Sequence, residues 1–160
     1  MALRKPLVLN AGQLQQLQAG DTLDAPQASG DQVVLTNDES GAIVIGAPVY
    51  VDANDGVKKA QANASATTQV MGLVAATTIA AAASGPVTMS GVLTATTAQW
   101  DVVAGTSGGL TRNTKYWLSA ATAGNITATA PSAAGQYVVY VGLALSTTEL
   151  LINIRDDILL

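Results

Sequence analysis

Short apolar runs rich in β-branched and aromatic residues, each closed off by glycine, asparagine, aspartate or proline, dominate the chain from about Val33 onward. They are Val33–Thr36, Ala42–Ile45, Val49–Asp52, Val57–Ala62, Gln69–Ala75, Val87–Leu93, Tyr116–Ala120, Ile126–Ala130, Tyr137–Leu145 and Leu150–Ile154. Runs of this length and composition are strand signals, and many of them at close spacing indicate a sandwich or barrel. The expected fold is therefore all-β, an antiparallel β-sandwich or barrel-like domain. Ala80–Ala83 is alanine-rich, but threonines precede it and Ser84-Gly85-Pro86 follows, so it is expected as a loop or brief turn.

The first forty residues read differently. Leu3–Leu9 is an extended segment around Pro6, Gln13–Gln18 suits a helical turn or a strand, and Gly20-Asp21, Pro26 and Ser29-Gly30-Asp31 carry turn chemistry. The leucines here keep no sustained period. Residues 1–38 are expected as an extended N-terminal arm or small subdomain that gains order on a neighbour, and residues 39–160 as the β domain. Within that domain one series echoes another. Pro48-Val49-Tyr50-Val51, Asp55-Gly56-Val57, Met71-Gly72-Leu73-Val74 and Thr77-Thr78 are followed later by Lys115-Tyr116-Trp117-Leu118, Gly124-Asn125-Ile126, Val141-Gly142-Leu143-Ala144 and Thr147-Thr148. The match suggests one supersecondary unit used twice, over 48–92 and 115–155.

Charge narrows the function. The chain of 160 residues carries a net charge of −4 and has neither cysteine nor histidine, so the commonest general base and two common metal ligands are missing. Its seven basic residues are scattered, which argues against a nucleic-acid partner. No side chain charged at neutral pH occurs between Lys59 and Asp101, nor between Lys115 and Glu149. Long neutral stretches of Ala, Thr, Ser and Gly suggest faces covered by other subunits; a neutral, hydroxyl-rich exposed surface is the alternative. Met1–Leu9 lacks the apolar length of a signal peptide, and Val70–Ala83 is too short for a membrane helix, so a soluble protein is expected.

A search for chemistry finds little. Asp21, Asp24, Asp31, Asp38, Glu39 and Asp55 sit in turn contexts and read as solvated turn acids. Asp52-Ala53-Asn54-Asp55-Gly56 has oxygen ligands at alternate positions, like the start of a calcium loop, but no glutamate follows at the twelfth position; a hairpin turn fits it better. Gly105-Thr106-Ser107-Gly108-Gly109 lacks the lysine of a phosphate loop and is expected as a flexible connection. No catalytic, cofactor or metal site, and no small-molecule substrate, is expected. Tyr50, Trp100, Tyr116, Trp117, Tyr137 and Tyr140 are candidates for the core or a subunit interface. Tyr116 and Trp117, as strand neighbours, cannot share one groove.

The opening Lys5-Pro6-Leu7-Val8-Leu9-Asn10-Ala11-Gly12-Gln13-Leu14-Gln15-Gln16-Leu17-Gln18-Ala19-Gly20-Asp21-Thr22-Leu23 resembles a segment near the start of tailed-bacteriophage virion proteins, among them tail-fibre, head-fibre and decoration proteins. The body is also similar to phage particle proteins, through Gly46-Ala47-Pro48-Val49-Tyr50-Val51, Gly72-Leu73-Val74-Ala75, Gly85-Pro86-Val87-Thr88-Met89-Ser90-Gly91-Val92, Gly109-Leu110-Thr111, Tyr116-Trp117-Leu118-Ser119 and Val141-Gly142-Leu143-Ala144-Leu145-Ser146-Thr147. Its pattern looks like capsid decoration (cement) proteins. The resemblance implies a homotrimer or similar cluster, made in the bacterial host cytoplasm and seated on the major capsid protein at the capsid surface. An arm would then reach a neighbour, with Leu3, Leu7, Leu9, Leu14 and Leu17 as its docking contacts. Two other readings stay open: a tail, fibre or baseplate adaptor, and a virion-displayed carbohydrate-binding module using Trp117 or Tyr50.

Overall fold

Alternating small and branched residues give strands, and the turn residues between them set where each strand stops. The computed structural model describes residues 7–10, 13–16, 31–52 and 56–160. In chain order the first strands are β1 (Leu7–Asn10), β2 (Gln13–Gln16), β3 (Gln32–Thr36), β4 (Ile43–Val44), β5 (Pro48–Val51) and β6 (Val57–Lys59). Next come β7 (Gly72–Val74), β8 (Thr78–Ile79), β9 (Ser84–Thr88), β10 (Gly91–Thr94) and helix α1 (Thr97–Ala104). The last are β11 (Lys115–Leu118), β12 (Ile126–Thr127), β13 (Tyr137–Val138), β14 (Tyr140–Ala144), β15 (Glu149–Ile152) and β16 (Ile158–Leu159). All ladders between named strands are antiparallel.

Two five-stranded sheets carry the body, ordered β3-β9-β7-β5-β6 and β10-β15-β14-β11-β12. Numbered within its own half, each sheet has the same order: first strand, fifth, fourth, second, third. The repeated Gly-Leu pair occupies the fourth strand in both. A Cβ on Gly72 would strike the Thr88 carbonyl of β9, and one on Gly142 would strike the Leu151 carbonyl of β15. Both glycines therefore sit where the fourth strand closes on the fifth more tightly than any side chain allows. The two halves differ in their covers. The first carries the small β4–β8 ladder and the second carries α1.

The first sheet packs core residues against both of its faces, while Val34 and Val51 near its ends stay exposed. Ile43, Ala47, Val49, Val57, Val74, Ile79 and Val87 form a smaller core on one side of it. Ala60, Ala62 and Leu73 turn the other way and join the main core with Leu93, Trp100, Val103, Tyr116, Leu118, Ile126, Val141 and Leu150. Each such aliphatic side chain contributes about 1.5–3 kcal/mol on leaving water. Main-chain bonds stitch the halves along one edge: Ala62 N–H donates to the Ser119 carbonyl (2.9 Å), Gly124 N–H to Ala60 (2.8 Å) and Tyr137 N–H to Ala62 (3.0 Å). A single parallel bridge between Asn37 and Val57 also draws the end of β3 toward β6, across the first sheet. Asn37 is fully buried there, donating to the carbonyls of Gly41 and Ile79, both at 2.9 Å.

Trp100 pegs the two halves together. Its indole N–H donates to the Thr148 carbonyl in the second half (2.9 Å), and its ring packs so close to Gly46 in the first that a Cβ there would sit 2.7 Å from it. The helix that delivers it was not expected from the sequence. Thr96 and Gln99 form a reciprocal capping box at its start, and Gly105, in the left-handed region, ends it.

Several expectations are corrected. Val87–Leu93 is not one strand: Met89-Ser90 interrupts it, and Gly91 turns with φ 90° so that β9 and β10 join different sheets. Tyr137–Leu145 likewise breaks into β13 and β14, because β13 leaves the second sheet to pair with β16. β3, which falls within the 1–38 segment expected as the arm, pairs along its whole length with β9. Of the two alternatives left open for Gln13–Gln18, Gln13–Gln16 takes the strand, paired with β1 and with Leu9 opposite Leu14. Leu7, Leu9 and Leu14 thus lie on this hairpin, while Leu3 and Leu17 lie outside the described residues, as do Asp21, Asp24 and Asp55.

Candidate functional site: the outer face of the second sheet

Alternation decides what this face presents. On β15 Leu150 and Ile152 point into the core, so Glu149 and Leu151 point out. On β14 Ala144 is buried, leaving Leu143 and, just beyond the strand, Leu145 outside. On β10 Leu93 is buried and Val92 lies on the outside. The register aligns Val92, Leu151, Leu143 and Lys115 in one row across four strands. Leu151 is 36 % exposed and Leu145 37 %. An aliphatic row of this kind on the outside of a sheet is the usual mark of a contact surface.

The face ends in an aromatic groove. A register shift between Tyr116 and Trp117 places Trp117 opposite Tyr140, and both stay outside while Tyr116 is sealed in the core. The two rings meet edge to face, centroids 6.3 Å apart at 67°, a geometry favoured by the ring quadrupoles. Lys115, Val138, Arg155, Asp156 and Ile158 complete a groove of about 490 Å³. Ile158 at its edge and Leu159 next to it are apolar and open, 63 % and 61 % exposed. The path after β15 continues along β14, as Asn153 N–H donates to Val141 and Arg155 N–H to Tyr140, both at 3.0 Å. Glu149 and Arg155 therefore stand at opposite ends of one outward-facing line.

The six aromatic candidates divide cleanly. Trp100 and Tyr116 are buried in the main core, and the Tyr116 hydroxyl accepts from the Thr111 N–H (3.0 Å). Tyr50 and Tyr137 are half-buried and packed against that core. Only Trp117 and Tyr140 meet in the groove. Tyr50 belongs to the other sheet, so Trp117 and Tyr50 do not form one sugar platform. Lys115, Arg155, Val138 and Ile158 were missed by sequence reasoning. The alternation Lys115-Tyr116-Trp117 was the one local signal that lysine and tryptophan share a side.

Other suspected features resolve as structure. The Gly105–Gly109 loop is not slack: the Asp101 carboxylate accepts from the N–H of Gly109 (2.7 Å), the N–H of Gly108 (3.0 Å) and the Thr106 hydroxyl (3.0 Å). These donors, the Gly109 N–H foremost, hold the carboxyl below its ordinary range against some desolvation. The same donors are thereby unavailable to a phosphate. Asp52 pairs with Lys58 at 2.7 Å, which raises the lysine pKa chiefly through that hydrogen bond. Asp38 and Glu39 are not simply solvated turn acids. Glu39 accepts from the Lys59 N–H (3.0 Å), and one Asp38 oxygen is buried without a partner in a spot where Gly56 leaves room only because it lacks a Cβ.

The long uncharged stretches also divide. Part of each supplies core strands, and part forms open loops of small residues, such as Ala121–Ala123 and Ser132–Gly135. Among the described residues no group of three or more His, Cys, Asp or Glu side chains comes together, and no helix is long and apolar enough to cross a membrane. No family model matches the chain, and a search of curated proteins returned no match.

Proposed function

We propose that the chain is a structural protein of a tailed-bacteriophage particle, most specifically a head decoration protein that binds the major capsid protein and stabilises the shell. On this reading it works by assembling and not by catalysis, as a sandwich or barrel-like body with an N-terminal arm. The observation that carries the reading is the aliphatic and aromatic outer face of the second sheet, where Leu151, Leu145, Trp117 and Tyr140 are only partly covered by the chain's own residues. A rigid sheet supplies a preformed surface, and many copies on a lattice add avidity to a modest contact. Copies clustering as the resemblance implies, in trimers, would place the arm leucines Leu3, Leu7, Leu9, Leu14 and Leu17 within reach of capsid neighbours.

The test is reconstitution. Purified chain is added to undecorated heads of the phage that encodes it, and occupancy is read by cryo-electron microscopy. Full-length chain should fill a regular lattice position, and removal of residues 1–20 should sharply lower occupancy while circular dichroism stays that of the folded body. No occupancy by the full chain contradicts the decoration role, and full occupancy without the arm contradicts the arm's part in it. Binding to tails instead would favour an adaptor of tail, fibre or baseplate.

A second reading has its own observation. The Trp117–Tyr140 pair, with Lys115, Arg155 and Asp156 at its side, has the mixture of ring faces and polar groups that a sugar-binding groove uses. Glycan-array binding that vanishes in Trp117→Ala would support a virion-displayed carbohydrate-binding module; silence on the array leaves the assembly reading ahead.

A further inference from the structure

We propose that the Trp117–Tyr140 groove takes an acidic saccharide, a pyranose ring carrying a carboxylate, in preference to a neutral sugar. This rests on the sugar-binding reading of the groove and names the ligand class that reading leaves open.

The ladder sets the groove out in one row. Arg155 N–H donates to the Tyr140 carbonyl (3.0 Å), and Tyr140 stands opposite Trp117. Arg155, Tyr140 and Trp117 are therefore level on three neighbouring lines of chain, each about 4.8 Å from the next. Lys115 lies two residues before Trp117 on the same side of β11, about 7 Å along the strand. A cation thus flanks each ring, Arg155 beside Tyr140 and Lys115 beside Trp117, and both cations are exposed.

Neither cation is spent within the protein. Among the described residues the one ion pair joins Lys58 to Asp52, and the one close ring contact is that of Trp117 with Tyr140. Asp156 lines the same groove without forming an ion pair with either cation, which leaves two positive charges there against one negative. The chain as a whole carries −4, so this positive excess is local to the groove.

The rings decide which anion fits. Inclined at 67°, they form a corner and not a parallel slot, so a flat base cannot be sandwiched between them. One ring face can take the C–H face of a pyranose while the other ring closes its edge. Asp156 then accepts from sugar hydroxyls, and a carboxylate on the sugar accepts a charge-assisted bond from Arg155 or Lys115. A neutral sugar of the same shape makes the ring contact and leaves both cations to water.

An array that prints uronic-acid and sialic-acid glycans, each beside its methyl ester, tests this on the purified full chain. Acidic members should bind about tenfold or more tightly than their esters, with the gap narrowing as salt rises. The strongest pair is then titrated by calorimetry. K115Q/R155Q should close the gap while leaving ester affinity within about threefold, since the ester makes no use of the charges. Trp117→Ala should weaken both ligands about tenfold or more, because both need the ring. Both cations are exposed, so thermal melts of K115Q/R155Q should match those of the unaltered chain. Equal affinity for acid and ester, or an acid preference that survives K115Q/R155Q, overturns the inference. So does tighter binding of a mononucleotide than of any saccharide. Binding of neutral glycans alone leaves the sugar-binding reading standing without this inference, and silence across the array removes both.

Discussion

Replacing each tryptophan by alanine should separate the core from the exposed face by several kcal/mol. Trp100 is fully buried, fills the space between Gly46 and the second half, and donates its indole N–H to Thr148. Truncating a buried aromatic ring to alanine costs about 3–5 kcal/mol. The Thr148 carbonyl keeps its bond from the Ala95 N–H, so loss of the indole bond adds on the order of 1 kcal/mol and no orphaned acceptor. For a domain of this size each kcal/mol lowers the melting temperature by roughly 2–4 °C, so Trp100→Ala should melt roughly 8–24 °C lower. Against a total stability of about 5–15 kcal/mol, that removes a large share of the folding free energy. Trp117 is half-exposed and makes one ring contact, with Tyr140. Its removal should cost only about 1–2 kcal/mol, the ring pair itself supplying about 0.5–1.5 of it. Urea unfolding followed by far-ultraviolet circular dichroism measures both without depending on tryptophan fluorescence. Equal costs for the two variants, or a Trp100→Ala cost below about 1.5 kcal/mol, would refute the assignment of Trp100 as the peg between the halves.

Further outcomes follow from the same structure. Thr96→Ala removes the side-chain acceptor of the helix cap and should cost about 1 kcal/mol, read as a lower urea midpoint with unchanged slope. Gly46→Ala combines a left-handed backbone angle (φ 81°) with a methyl group pressed into the Trp100 ring, and should destabilise by more than the about 1–2 kcal/mol that the angle alone costs. The Asp101 carboxyl is held below the ordinary value of 3.8. Its contribution to stability is therefore complete above the unfolded-state value and is lost as pH falls through the lower folded-state value. Melting temperature should drop along that acid limb, and Asp101→Asn should flatten the drop while lowering stability at neutral pH; an acid limb unchanged in the variant would contradict the role given to its three hydrogen bonds. Lys58 has the opposite sign: its raised pKa gives a contribution present below the ordinary 10.5 and lost as pH rises through the folded value, and Lys58→Met should remove that alkaline loss.

The all-β class was legible because it depends on local pattern, with short branched runs and turn residues repeating along the chain. The paired series was legible for the same reason, and the matching strand order of the two sheets gives Gly72 and Gly142 one shared physical role. What was not legible was short or non-local. Helix α1 spans eight residues with only Trp100 and Val103 buried, too few for a visible helical period, although Thr96, Gln99 and Gly105 were there to mark its ends. Two-residue strands such as β8 and β16 have no periodicity to detect and exist through their partners. The groove is non-local in the same sense. Lys115, Tyr140 and Arg155 become neighbours through a ladder register and a bulge, neither of which any window of sequence encodes. Asp38 shows the converse error: a turn-like context suggested a solvated acid, and only the packing of Gly56 reveals a half-buried one.

Quantitative mass spectrometry of purified particles, using labelled peptides of this chain and of the major capsid protein, measures the central proposal most directly. The account predicts that the chain co-purifies with particles at a fixed ratio to the capsid protein, on the order of hundreds of copies each, as a lattice-bound protein requires. A fixed stoichiometry of a few dozen or fewer would move it to the tail. Its absence from particles that are otherwise complete would contradict the virion assignment altogether.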